Sequence, residues 1–225
     1  MRADYSFIIP VRNEEGVIGP LLADLKNRFA GCERVVVDGD SSDGSFKEAL
    51  AHADIVLLGD PGRAAQMNLG AACAAGKYLF FLHADTRPCF TLAQLDRLMA
   101  HAPRWGFCRV RLGGDRLGLR FVEAGMNLRS RITGIGTGDQ MLFVATELFE
   151  YAQGYAPLPL MEDVELCKRL RRISRPCVLP ARVCTSSRRW EQRGILRTVL
   201  SMWWLRLLYV CGVAPATLRR LYYGE

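Results

Sequence analysis

The sequence predicts an α/β fold, a three-layer sandwich with a mostly parallel central sheet and a helical tail at its C-terminal end. Three observations carry that prediction. From Tyr5 to Leu112 short apolar runs alternate with stretches whose apolar residues recur at helical spacing, the signature of βαβ units. Two of the apolar runs lead into carboxylates, Asp38 and Asp85, at the strand ends where open parallel sheets bind ligands. Residues 195–216 are apolar around most of a helical circumference, so they must be buried, paired or laid against lipid.

In order, Tyr5–Ile9 reads as a strand stopped by Pro10, and Val17, Leu21, Leu22, Leu25 and Phe29 mark the first helix. Pro20 falls in that helix's first turn, where a missing N–H is harmless. Arg34–Asp38 is the second strand, Phe46–Ala53 a short helix, Ile55–Leu58 the third strand and Arg63–Ala75 an Ala-rich helix. Tyr78-Leu79-Phe80-Phe81-Leu82-His83-Ala84-Asp85 is the central strand, buried on both faces and ending in a carboxylate. A helix through Leu92, Leu95, Leu98 and Met99 and a strand over Phe107–Leu112 complete the alternating part. Beyond Gly113 the alternation fails: Leu117–Ile132 and Asp163–Arg172 read as helices, Met141–Val144 and Val178–Val183 as strands. The division expected is one main domain over 1–194 and an apolar helical tail over 195–225.

With 225 residues, half of them hydrophobic, the chain has material for a large core and none of the composition of disorder. The net charge of +7 calls for an anionic partner. Cysteines 32, 73, 89, 108, 167, 177, 184 and 211 form no C-x-x-C pair and no zinc spacing, which predicts free thiols in a reducing cytosol. Met1–Ser6 leads straight into a strand, so no secretory leader is expected.

Two common nucleotide sites are excluded. The loop after the first strand, Pro10-Val11-Arg12-Asn13-Glu14-Glu15-Gly16, lacks the G-x-G-x-x-G of dinucleotide binding, and no G-x-x-x-x-G-K-[ST] occurs. Ile8-Ile9-Pro10-Val11-Arg12-Asn13-Glu14, Val36-Val37-Asp38 with Ser41 and Asp43-Gly44, Phe81-Leu82-His83-Ala84-Asp85 and Glu162-Asp163 instead resemble, in order, the family 2 glycosyltransferases. Their fold is the Rossmann-like GT-A sandwich. Gly62-Arg63-Ala64-Ala65-Gln66-Met67-Asn68, Gly138-Asp139-Gln140 and Ser186-Ser187-Arg188-Arg189-Trp190 are similar to a bacterial subgroup labelled arsenosugar-biosynthesis glycosyltransferases.

The resemblance implies an inverting transfer of a sugar from a nucleotide diphosphate, UDP in the first instance, to a hydroxyl acceptor. Pro10, Arg12, Glu14 and Asp38 would hold base and ribose, since carboxylates accept from imide N–H and ribose hydroxyl groups, and Ala84 would contact the donor. Arg63, Gln66 and Asn68 open a helix, whose free N–H groups and dipole attract phosphate. Asp85 matches the last Asp of the family's D-x-D metal motif, while His83 replaces the first; a buried histidine without metal contact competes with ligation there. Mn²⁺ is expected, or Mg²⁺ if phosphates and water complete its shell. Asp163 is the expected general base. Gly138, Asp139, Gln140 and Glu162 face the acceptor, and Arg189 and Trp190 serve the leaving group and a stacked sugar.

A sugar-1-phosphate nucleotidyltransferase and a non-catalytic nucleotide-sugar sensor stay open as alternatives. In the tail, a central Arg costs about 2.5–3.5 kcal/mol in a bilayer, and Gly212 and Pro215 interrupt the helix. That favours self-association as a homodimer or a membrane-surface element over a span. The expected setting is cytoplasmic, peripheral on the inner face of a membrane, with no nucleic-acid partner.

Overall fold

The computed structural model describes residues 4–188, 190 and 194–224. Its strands are β1 (Tyr5–Val11), β2 (Glu33–Asp38), β3 (Ile55–Leu58), β4 (Tyr78–Phe81), β5 (Thr86–Pro88), β6 (Trp105–Leu112), β7 (Leu142–Ala145) and β8 (Cys177–Thr185). The helices are α1 (Ile18–Arg28), α2 (Ser45–His52), α3 (Arg63–Cys73), α4 (Leu92–Met99), α5 (Leu117–Thr133), α6 (Thr146–Tyr151), α7 (Glu162–Ile173), α8 (Ile195–Val210) and α9 (Pro215–Tyr223). A 3₁₀ turn, Gly138–Gln140, precedes β7.

The strands form one sheet in the order β3-β2-β1-β4-β7-β6-β8-β5. The pairs β2–β3, β1–β2, β1–β4 and β6–β8 are parallel, whereas β7 runs antiparallel to both β4 and β6. This mixed α/β architecture with helices on both faces is the predicted one. Alternate residues of each strand enter opposite layers. Phe7, Ile9 and Phe80 pack with Leu21, Leu25 and Leu95 from α1 and α4. Ile8, Leu79 and Phe81 pack with Met67, Leu166 and Leu170 from α3 and α7. Gly70 lets α3 sit tightly on the sheet, since a Cβ there would lie 2.6 Å from the Ile8 side chain.

Topology decides where the site lies. Because β7 is antiparallel, its first residue, Leu142, pairs with the last residue of β4, Phe81. The turn before β7 therefore meets the loop after β4. The carboxyl ends of β1, β2, β4, β6 and β8 share that edge, so the segments after Val11, Asp38, Phe81, Leu112 and Thr185 emerge together.

Several local expectations change. β1 runs through Pro10 to Val11, because its pairing with β4 ends at Ile8 and the proline nitrogen owes that side no hydrogen bond. The central strand stops at Phe81, and Thr86–Pro88 forms a separate short strand against β8. Cys89 and Cys184 are joined as a disulfide across that pair, so the expectation of free thiols fails for these two; the other six are free. The tail breaks at the residues expected, with Gly212 in the left-handed region and Pro215 at the start of α9.

Candidate active site

The shared edge opens into a cavity of about 810 Å³. One wall comes from the sheet edge, the loops after β1 and β4 and the head of α3: Pro10, Arg12, Arg63, Gln66, His83 and Asp85. The opposite wall carries Gly138, Asp139, Glu162 and Asp163, with Arg188 and Trp190 from the segment after β8. The tail closes the rim through Met202, Leu205, Arg206, Arg219, Tyr222 and Tyr223.

The loops after β1 and β2 are fastened to each other by side chains accepting from backbone. Asn13 N donates to Ser41 Oγ at 2.9 Å, Glu14 N to Ser45 Oγ at 2.7 Å and Glu15 N to Asp43 Oδ2 at 3.1 Å. Gly16 N donates to both Glu48 oxygens. These bonds fix Arg12 and Glu14 without using either side chain. Asp38 lies beneath the lining, buried, with Oδ1 accepting from Ser41 N at 2.7 Å and Oδ2 without a hydrogen-bond partner. Glu14 also lies off the lining, where Arg188 Nη2 stands 3.9 Å from its carboxylate. Burial pushes the Glu14 pKa up, the charge of Asp85 adds to that, and Arg188 and Arg63 oppose it.

Arg63 heads α3, and crowding by its walls opposes its charge. The acidic groups Glu162, Asp139 and Asp163 outweigh that and hold its pKa up. Gln66 reaches the lining, but its amide N–H group donates to Val11 O (2.9 Å) and Val37 O (2.8 Å), tying β1 to β2. Asn68 does not line the cavity. Its amide makes paired 2.8 Å bonds with the backbone of Tyr155 and holds the segment after α6.

His83 packs face-on against the 3₁₀ turn: a Cβ on Gly138 would lie 2.2 Å from the imidazole, so only glycine fits. Its Nδ1 is 3.6 Å from Asp139 Oδ1. Gly138 N in turn donates to Asp163 Oδ2 at 3.0 Å, while Val164 N donates to Oδ1 at 2.7 Å. Gln140 is fully buried; its amide donates to Ser130 Oγ at 2.9 Å, which removes it from the acceptor side. Ala84 is buried in the core behind the loop.

Met161, in the left-handed region at φ 67°, turns the chain so that Glu162 and Asp163 open α7 at the cavity. Non-glycine residues in that region gather at functional sites. Burial raises both carboxyl pKa values; for Glu162 the neighbouring Asp163 adds to the rise. The bonds from Gly138 and Val164, and Arg63 beyond them, pull Asp163 back toward the ionised form. The result is an aimed carboxylate that is more basic than an ordinary Asp.

Among the described residues no three His, Cys, Asp or Glu side chains converge as a metal cage. Asp85 nevertheless fits a hard cation of the kind that binds one carboxylate and completes its shell with phosphate and water. Its charge against Glu14 is the local excess such a cation relieves.

Eleven sequence-nominated residues meet at the lining: Pro10, Arg12, Arg63, Gln66, His83, Asp85, Gly138, Asp139, Glu162, Asp163 and Trp190. Glu14, Asp38, Asn68, Ala84 and Gln140 do not reach it, and Arg189 lies outside the described residues. Arg188 and the tail side chains were missed. Arg188 is adjacent to a nominated arginine in sequence, whereas nothing local announces the tail's inner face.

Residues 6–98 match the Glycosyl transferase family 2 profile. Comparison with curated proteins finds no match. Among solved structures the chain is similar to residues 1–349 of S. aureus TarS, at 19% identity and TM-score 0.63, over 83% of this chain and 61% of that one. The same protein in complex with UDP-GlcNAc gives 21% identity and TM-score 0.61, over 83% and 58%. The mannosyltransferase PcManGT from Pyrobaculum calidifontis, in complex with GDP-Man and Mn²⁺, gives 19% and 0.62, over 82% and 57%. The chain thus spans about three fifths of these solved chains and 37% of the longer TarS chain.

Proposed function

We propose that this chain, which carries a family 2 glycosyltransferase domain in a GT-A fold, transfers a sugar from a nucleotide diphosphate to a hydroxyl acceptor with inversion. One observation carries the reading. The adjacent acids Glu162, buried, and Asp163, half-buried and aimed by the Gly138 N–H, share one cavity with the cationic head of α3 and the carboxylate of Asp85.

Each residue's work follows from its surroundings. The loops zipped by Ser41, Asp43 and Ser45 form the base side, with Asp38 buried beneath them and accepting from Ser41 N. Arg63 and the α3 N-terminus take the diphosphate. Arg188, beside Glu14, adds positive charge where the leaving group forms. Asp85, with diphosphate oxygens, would hold Mn²⁺ or Mg²⁺, which supplies Lewis-acid neutralisation of the leaving diphosphate. Asp163 takes the acceptor hydroxyl proton as the new C–O bond forms; its raised pKa favours that transfer. Glu162 and Asp139 orient the acceptor. Trp190, largely built into the core beside Leu112 and Leu119, offers an edge for a sugar ring.

Incubation of the purified chain with nucleotide sugars and candidate acceptors tests the reading. Free nucleoside diphosphate plus glycoside is the expected product. Release of pyrophosphate identifies a nucleotidyltransferase, and tight binding without turnover a sensor. Calorimetry of UDP with and without Mn²⁺ tests the donor side: Asp85→Asn is expected to lose the metal-dependent part of binding at unchanged Tm. Equal Mn²⁺-dependent affinity in both proteins removes Asp85 from the metal site.

A further inference from the structure

The tail has an outer face that the transfer chemistry does not use. At about 3.6 residues per turn, Leu196, Leu200, Trp203, Leu207 and Val210 fall on one stripe of α8, and each is more than half exposed. On α5, Leu117, Phe121, Leu128 and Ile132 form a second stripe, exposed to the same degree. The two helices pack side by side: Leu119, Val122 and Met126 share a cluster with Ile195, Val199 and Met202. The close approach of Gly118 to Ile195 fixes their contact, since a Cβ there would lie 2.8 Å from the isoleucine methyl. Two unpartnered apolar stripes therefore lie on neighbouring helices. Exposed apolar surface of this extent marks an interaction site.

Charge selects the occupant. Residues 195–224 contain Arg197, Arg206, Arg219 and Arg220 and no acidic residue. Arg197 and Arg206 flank the α8 stripe on its two sides, with Trp203 and Trp204 exposed between them. An apolar stripe with aromatic residues on it and arginines at its margins is the pattern of a helix lying in a bilayer interface. A second copy docked by a two-fold axis through α8 would set arginine against arginine with no carboxylate from this segment to answer. Among the described residues no helix is long and apolar enough to cross a membrane, so the contact is with the surface.

We propose that the α5–α8 face docks on an anionic lipid bilayer surface. The inner side of α8 lines the cavity through Met202 and Leu205, so docking would bring the cavity rim close to the headgroups.

Co-sedimentation of the full chain with phosphatidylcholine vesicles, with and without about 30% phosphatidylglycerol, tests the proposal. The chain is expected to pellet with the anionic vesicles only, and less so as salt rises. Trp203→Glu is expected to abolish pelleting with the circular dichroism spectrum intact. Arg197→Gln is expected to weaken it about five-fold; it reports on the same face should Trp203→Glu perturb the fold. Three results overturn the proposal. They are a chain that stays in the supernatant, one that binds neutral and anionic vesicles equally, and a lipid-free dimer in sedimentation velocity that Trp203→Glu dissolves.

Discussion

The carboxylates that zip the loops after β1 and β2 and those at the head of α7 are treated in opposite ways. In the zipped loops Asp43 accepts from Ser45 Oγ, then from the backbone N–H groups of Ser45 and Glu15, and those bonds lower its pKa. Glu48 likewise accepts from Gly16 and Gly19. These acids are structural and are satisfied within the chain. At the head of α7 Glu162, buried, and Asp163, half-buried, stand side by side with pKa values raised. The difference marks which acids shape a binding loop and which remain available to take a proton.

The largest expected effect breaks the acceptor side alone. Asp163→Asn keeps an oxygen to accept from Gly138 N but cannot take a hydroxyl proton. Transfer is expected to fall by about 10² or more, the scale of general-base loss, with UDP affinity unchanged by calorimetry. A loss of ten-fold or less in kcat/KM would move the base elsewhere and dissolve the contrast.

Asp43→Ala probes the donor side, where stability rather than chemistry is at stake. Removing three accepted hydrogen bonds at an exposed site should lower Tm by about 5 °C, loosen the Asn13–Gly16 loop and weaken UDP binding. With saturating donor, kcat should stay near wild type. A variant with wild-type Tm and UDP affinity would show that the zipper does not organise the loop.

What the sequence disclosed divides along the same line. The parallel strands of the donor half are continuous apolar runs with helices between, and both periodicities are local, so β1–β4 and α1–α4 were legible. Asp85 and Asp163 were legible because each stands at the boundary of such a run. The disposition of Asn68 and Gln140 was not, because their partners, Tyr155 and Ser130, are brought to them only by the tertiary fold. The same holds for His83. Its contact with Gly138 exists because β7 runs antiparallel to β4, and strand direction is not written in either segment. In the tail the apolar residues on all sides of α8 were visible, but not that one side would line the cavity.

The smallest expected effect sharpens the comparison through pH. In the unfolded chain Glu162 titrates near the ordinary carboxyl value of about 4; in the folded chain burial and Asp163 raise it. The folded chain therefore holds protons that the unfolded chain releases. Stability is greatest below the unfolded value and falls as pH rises through the folded one. Glu162→Gln, a neutral stand-in for the protonated acid, removes that loss. Its Tm is expected to match wild type near pH 4 and exceed it by about 2 °C at pH 8, with the gap opening as pH climbs above the ordinary carboxyl range. Asp43, with its pKa lowered, has the reverse dependence: the stability it contributes is present above the ordinary value and lost in acid. A Glu162→Gln protein no more stable than wild type at pH 8 would mean that Arg63 already neutralises the pair. In that case the acceptor-side acids, like those of the donor loops, would be at no disadvantage as anions, and the separation between structural and reactive carboxylates would rest on Asp163 alone.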